Sequence, residues 1–506
     1  MSPDPENVPV IVGVGQINDR PDTPQGGLHS GELMVAALER ADADAGGNWL
    51  GDCQSLALVD QISFRSLNPL TDYVADACGM TPVIAYQSKG PNGDSPILLL
   101  NEAANRIGSG EISIAAVTGG EALRTAMQLA RAAAADKHAE TNAVRAVSSR
   151  KTPGYRQTYG LSAPVDFYPL YENAGRAAYG QTLAEAQAES GAIWSQFSEV
   201  ANANPHAWIH QPRSAAEIIE PTADNRPIAH PYTKLMVANS SVNQGAAFII
   251  ASLAETRRRG VPQERLIHIG YGAAAHESDD FLARDRYDQS PSMEVSLLKT
   301  LELNRLSVSD FDHVELYSCF PCVPKMARRI INWPLDRPAS VFGGLTFGGG
   351  PIGNYMSHAV ASMVDCLRET GGKGLLFANG GYATHNHTIV LSAQQMDGVS
   401  FPQDFDFQAE ADAARGPVPE LEKHYCGPAT IESYTVIYAR DGTPGHGVIV
   451  ARTPGGQRTL ANVPASDTQA IAILTSGMHE PVGMAGQISA QNTDAENSIR
   501  NWSFTA

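Results

Sequence analysis

A chain of 506 residues with 54 acidic against 36 basic side chains, and a formal net charge of −18, lacks the basic face that a nucleic-acid binder needs to displace counterions. Its apolar runs are short and interrupted, and no charged stretch leads into an apolar one after Met1, so no membrane span, no export and a cytoplasmic address are expected. The length predicts about three domains of ~150 residues, and the cysteines Cys53, Cys78, Cys319, Cys322, Cys366 and Cys426 are too scattered for a disulfide framework.

PVIVGVGQIND, from Pro9, predicts a buried strand, and ELMVAALERADAD, from Glu32, a helix. LALVDQISF, VIAYQSKG and ISIAAVTGGEA continue the strands, and PILLLNEAANRIGSG the helices, up to Ala122. This alternation predicts a mostly parallel sheet covered by helices. From about Ala130 to Ala229 the pattern is irregular, helical or loop, and predicts an insertion at about 130–230 over the first half. NSSVNQGAAFIIASLAETRRRG, from Asn239, predicts a return to helix that finishes this half, 1–262.

A like order recurs over 263–405: the strand RLIHIGYGA, the helix SMEVSLLKTLELN, the strand HVELYS, a glycine loop, the helix NYMSHAVASMVDCLRET and the strand GLLFANGGYA. Both halves close on a strand with paired glycines, VTGGEA and FANGGYA, and the repetition predicts an internal duplication. Beyond Asp406 an acidic, Ala-rich linker leads into TIESYTVIYARDGTPGHGVIVARTPGGQRTLANV. Its period-two alternation and turn signals predict a small antiparallel β domain over 406–506, with a short helix in VPASDTQAIAILTSG.

Three stretches carry residues suited to chemistry. GGLTFGGGPIG, Gly343 to Gly353, lets another group approach bare backbone, but Pro351 and Ile352 stand where a phosphate loop needs Lys and Ser or Thr. Gly348, Gly350 and Gly353 fit G-x-G-x-x-G, yet no acidic residue ends a strand about 20 residues on. In HVELYSCFPCVPK, Cys319 and Cys322 form C-x-x-C without a second ligand pair for zinc, and a following helix would favour the Cys319 thiolate. In ANGGYATHNHTIV, His385 and His387 share a strand face and suit acid–base work or metal binding, beside Asn379 and Tyr382. Asp94 or Ser95 reads as the N-cap of a helix whose free N–H groups could meet an anion. Any anionic ligand must find local basic groups, for which Arg145, Arg150, Lys151, Arg156, Arg226 and Lys234 are the candidates.

Taken together, the duplicated halves and these motifs resemble the thiolase superfamily over roughly residues 8–395. NSSVNQGAA is similar to the family's N-x-S-x-x-D-G-A-A, VELYSCFP stands where it has V-E-I-N-E-A-F-A, and GGLTFGGGPIG resembles its G-G-x-x-x-x-G-H-P-x-G. The LYSCFP and NGGY forms and the terminal β domain look closer to the thiolase-like branch related to sterol-carrier-protein thiolases. The resemblance implies a duplicated five-layer α/β/α/β/α fold with a helical or loop insertion and a small C-terminal β-barrel-like domain. It also implies acyl-CoA carbon–carbon chemistry, with a coenzyme A thioester as substrate, no tightly bound cofactor, no metal, and a monomer or homodimer.

All four of the family's catalytic places are changed. The nucleophilic cysteine falls near Gly93 or Asp94, the activating histidine at Gly350, the oxyanion asparagine at Tyr317 and the second cysteine near Ala378. The expectation is therefore a non-classical route of acyl-transfer, retro-Claisen or retro-aldol type in which Tyr317, Cys319, His385 and His387 do the chemistry, and Asn239, Gly348, Gly349, Gly350 and Gly381 border the ligand. A non-catalytic acyl-CoA binding or scaffold protein is the alternative.

Overall fold

Strands buried on both faces read as unbroken apolar runs, and this chain builds its centre from them. The computed structural model describes residues 5–80, 83–136, 154–491 and 499–505. Its first half supplies β1 (Pro9–Asn18), β2 (Ser55–Leu58), β3 (Ile84–Gln87) and β4 (Ile114–Glu121), then two short insertion strands, β5 (Pro227–Ala229) and β6 (Tyr232–Thr233), and finally β7 (Gln244–Ser252). The second half supplies β8 (Ile267–His276), β9 (His313–Leu316), β10 (Lys373–Gly380) and β11 (His385–Ser392). Every residue of β4 and β7 is buried.

The strand order β3-β2-β4-β7-β1-β8-β11-β10-β9 makes the duplication explicit. Read outward from the β1–β8 seam, one side runs β1, β7, β4, β2, β3 and the other β8, β11, β10, β9. Matching helices follow the first strand of each half, Ser30–Asp44 and Pro291–Asn304, and precede the third matching strand, Ser95–Gly108 and Tyr355–Thr370. The last two touch strands of both halves and form the middle layer, while the first two cover the outer faces, giving five layers. The paired glycines also correspond, Gly119 and Gly120 at the end of β4 and Gly380 and Gly381 at the end of β10.

The structure corrects three sequence readings. The sheet is not mostly parallel: β2–β3, β2–β4 and β9–β10 are, but β7 and β11 run antiparallel to both neighbours because each half ends by turning a strand back into its own sheet. Gln244–Ser252, read as helix, is the central strand β7, with only Leu253–Arg259 helical. A short apolar run does not distinguish a doubly buried strand from a buried helix, and pairing with β1 and β4 decided it. The strand read into LALVDQISF stops at Leu58.

The C-terminal strands are β12 (Gly427–Tyr438), β13 (Pro444–Arg452), β14 (Arg458–Pro464), β15 (Ala485–Ala490) and β16 (Arg500–Phe504). They close into a five-stranded barrel in the order β12-β13-β14-β16-β15 and back to β12, around a core that includes Val436, Ile449, Val463 and Trp502. Closure removes exposed strand edges. The barrel grips the insertion: Asn173 Nδ2 donates to Tyr434 O at 2.9 Å and Ser433 Oγ to Leu170 O at 2.6 Å. The buried Arg458 guanidinium donates to the carbonyls of Leu282 and Arg284 in the second half. Among the described residues no helix is long and apolar enough to cross a membrane.

Candidate functional site

The ends of β8, β9 and β10 and the start of β11 converge on the start of the helix Ser95–Gly108, so the duplicated topology gathers residues distant in sequence at one end of the sheet. Tyr317 directly follows β9, and its hydroxyl stands 2.5 Å from where a Cβ on Gly93 would be. The Asn379 carbonyl crowds the same point, so glycine is required at 93. A side chain from the far half thus fills the space beside Gly93, one of the two positions near which the resemblance puts a nucleophile. Burial beside Cys319 and Asp94 holds the Tyr317 phenol well above its ordinary pKa, so it stays an O–H donor.

Asp94 occupies the N-cap position, but its side chain makes no capping hydrogen bond. Its carboxylate lies beside Gly380, within reach of two imidazoles. His276 ends β8, His385 begins β11, and the two are register partners, which brings their rings to 4.6 Å between centroids. Burial raises the Asp94 carboxyl pKa, opposed by His385 and His276, whereas partial burial and His385 lower that of His276. His385 Nε2 also meets Asp279 Oδ1 at 2.9 Å.

His387 shares the face of His385, as period-two geometry requires, and reaches the same helix two turns further on, with Nε2 3.1 Å from Asn101 Oδ1. Burial pushes its pKa down to about 3, so it is neutral and inside the core rather than poised to titrate. Cys319 likewise departs from expectation: it is buried, and burial pushes its thiol up to about 12. The helix that follows begins only at Cys322, and the backbone N–H groups of Phe320 and Cys319, which favour the thiolate, do not offset the burial.

The glycine loop is met by this chain's own backbone and side chains. Trp208 N and Ile209 N donate to Phe347 O, and Trp208 N and Gln244 Nε2 to Gly348 O at 2.9 and 3.0 Å. Gly344 leaves room for Phe197, and Gly349, at φ +103°, leaves room for the Gln244 amide. Gly350 N donates to Asn239 O at 2.9 Å, while Asn239 Oδ1 accepts from Ser241 N. Tyr168, on the insertion helix Pro164–Ala178, stacks on Phe320, lies against Cys319 and donates to Gly381 O at 3.2 Å. The insertion therefore covers the loop and the C-x-x-C turn together.

Of the basic candidates, Arg145, Arg150 and Lys151 lie outside the described residues. Arg156 packs over the Phe167 and Tyr382 rings, Arg226 donates to the adjacent Pro227 carbonyl, and Lys234 is exposed beside Asp224 O. His276 and Asp279 were not picked out from sequence. The signal was a histidine at the end of β8 paired with a histidine at the start of β11, visible only once the two strands are known to be neighbours.

Comparison with known proteins agrees with this architecture. Residues 406–493 match the family model described as the thiolase-like protein type 1 additional C-terminal domain. A monomeric SCP2-thiolase like protein type 1 from Mycobacterium smegmatis superposes with a TM-score of 0.81 at 29% identity, over 99% of this chain and 100% of that one. An Ltp2–ChsH2(DUF35) aldolase (TM-score 0.55, 17% identity, 77% of this chain and 98% of that one) shares the fold. So does human mitochondrial 3-ketoacyl-CoA thiolase in complex with CoA (0.56, 14%, 77% and 99%). No curated protein sequence matches the chain.

Proposed function

We propose that this chain, a thiolase-like protein with an additional C-terminal domain, binds an acyl-CoA and makes or breaks its Cα–Cβ bond by aldol-type chemistry, without a covalent acyl-enzyme. The observation that carries the reading is Tyr317: its hydroxyl fills the space where a nucleophilic side chain at 93 would stand. Claisen cleavage of a β-ketoacyl thioester begins by adding a nucleophile to the ketone, and the residues near that place here, Gly93 and Asp94, include no cysteine. Aldol cleavage needs only a base, an acid and a stabilised enolate.

In the cleavage direction the base removes the proton of a β-hydroxyl group, and the Cα–Cβ bond breaks to leave a carbonyl product and a thioester enolate. Tyr317 donates to the thioester oxygen as its charge develops, and a proton returned to Cα completes the second product. The Asp94, His276 and His385 group is the nearby set able to take and return that proton. Two fold relatives support the ligand class and the reaction class: one is a thiolase with CoA bound and one is named an aldolase.

The scaffold alternative rests on one observation, that the insertion seals the glycine loop with backbone hydrogen bonds. Incubation with a panel of 3-hydroxyacyl-CoA thioesters, read by mass analysis, separates the two. Shortened acyl-CoA together with an aldehyde or ketone supports the aldol reading; calorimetric binding of the thioesters with no product supports the scaffold.

A further inference from the structure

We propose that Asp94, His276 and His385 form a binding site for a divalent transition-metal ion of the zinc type. One carboxylate oxygen and two imidazole nitrogens all lie within 4.8 Å of one another. Bond lengths of about 2.0–2.2 Å place neighbouring ligand atoms of a tetrahedral ion roughly 3.4 Å apart, so small side-chain rotations close the set. The backbone fixes the rest: the histidines are paired across β8 and β11, and Asp94 is held at the start of a buried helix.

The second observation is the state of Asp94. The residue is 5% exposed, and among the described residues the hydrogen bond shown to its carboxylate is the one from its own backbone N–H. A buried carboxylate held by a single local N–H is costly to keep charged unless a cation meets it. The groups facing it are the two imidazoles and the Tyr317 phenol, and beyond them Asp279 and Asp406 add negative charge around His276. Asp279 stands with Oδ1 2.9 Å from His385 Nε2 and its side chain 85% exposed, free to serve as a fourth ligand. His276 is exposed, which gives an ion a way in from solvent. Two imidazoles with carboxylates suit zinc, nickel or copper, whereas magnesium and calcium prefer an all-oxygen shell.

Such an ion would take the imidazole lone pairs that the aldol mechanism needs for proton transfer, so an occupied site and an open relay exclude each other. That consequence rests on the proposed function; the binding does not. The test is calorimetric titration of the EDTA-treated full chain with zinc chloride, alongside His276→Ala and Asp279→Ala, both changes at exposed side chains. One equivalent is expected to bind with micromolar or tighter affinity, weakened at least tenfold in His276→Ala, and magnesium chloride is expected to give no saturable heat. Absence of saturable zinc binding, or binding of undiminished affinity in His276→Ala, would overturn the proposal whether or not the protein turns over a thioester.

Discussion

Tyr317→Phe is expected to lower kcat for cleavage of a 3-hydroxyacyl-CoA by about 100- to 1,000-fold, the loss seen when one donor to a developing oxyanion is removed, roughly 2.7–4 kcal/mol. KM should change little, because the hydroxyl acts on charge that appears only in the transition state. The fold should survive: the ring remains packed edge-on against Tyr355 at 5.7 Å, and no protein group depends on the hydroxyl for a described hydrogen bond. Steady-state kinetics checks the split. A variant with unchanged kcat would remove Tyr317 from the chemistry and leave it as the plug over Gly93.

The largest stability effect is expected at a different place. Lys325 Nζ meets Glu172 Oε1 at 2.5 Å with both side chains nearly inaccessible, 4% and 3% exposed. Ala186 O and Tyr232 Oη complete the set at 2.8 and 3.0 Å. Lys325→Met strands a buried carboxylate and is expected to cost about 3–5 kcal/mol, read as a fall in the urea midpoint. Adding Glu172→Gln to Lys325→Met should recover most of the loss, since the amide oxygen still accepts from Tyr232 and no charge remains. A double variant no more stable than the single would contradict this. The pair joins the insertion to the second half, so its loss should also loosen Tyr168, four residues from Glu172, over Cys319.

The sequence made some of this legible and hid the rest, for physical reasons. Periodicity located β1, β4, β8 and the helices Ser95–Gly108 and Tyr355–Thr370, because those segments are long and their burial pattern is regular. It misread β7, which is buried throughout like β1 and β4 but lacks their glycine punctuation near the strand end and runs directly into the helix Leu253–Arg259, so strand and helix read as one helical run. Residue type pointed to His385 and His387 alike, but a two-residue offset along β11 separates them by depth: one meets the exposed Asp279 and the other sits under Asn101. Cys319 looked activated because a helix follows it, while its burial depends on Tyr168, which the insertion brings from about 150 residues away. His276 joined the site only through register with His385, a long-range fact that local sequence does not carry.

Intact-mass spectrometry of the protein quenched during turnover of a 3-hydroxyacyl-CoA tests the central claim most directly, that Tyr317 replaces a nucleophile and the reaction proceeds without an acyl-enzyme. The account predicts released acyl-CoA and carbonyl product with the protein mass unchanged. An acyl adduct on Cys319 or any other residue would contradict it.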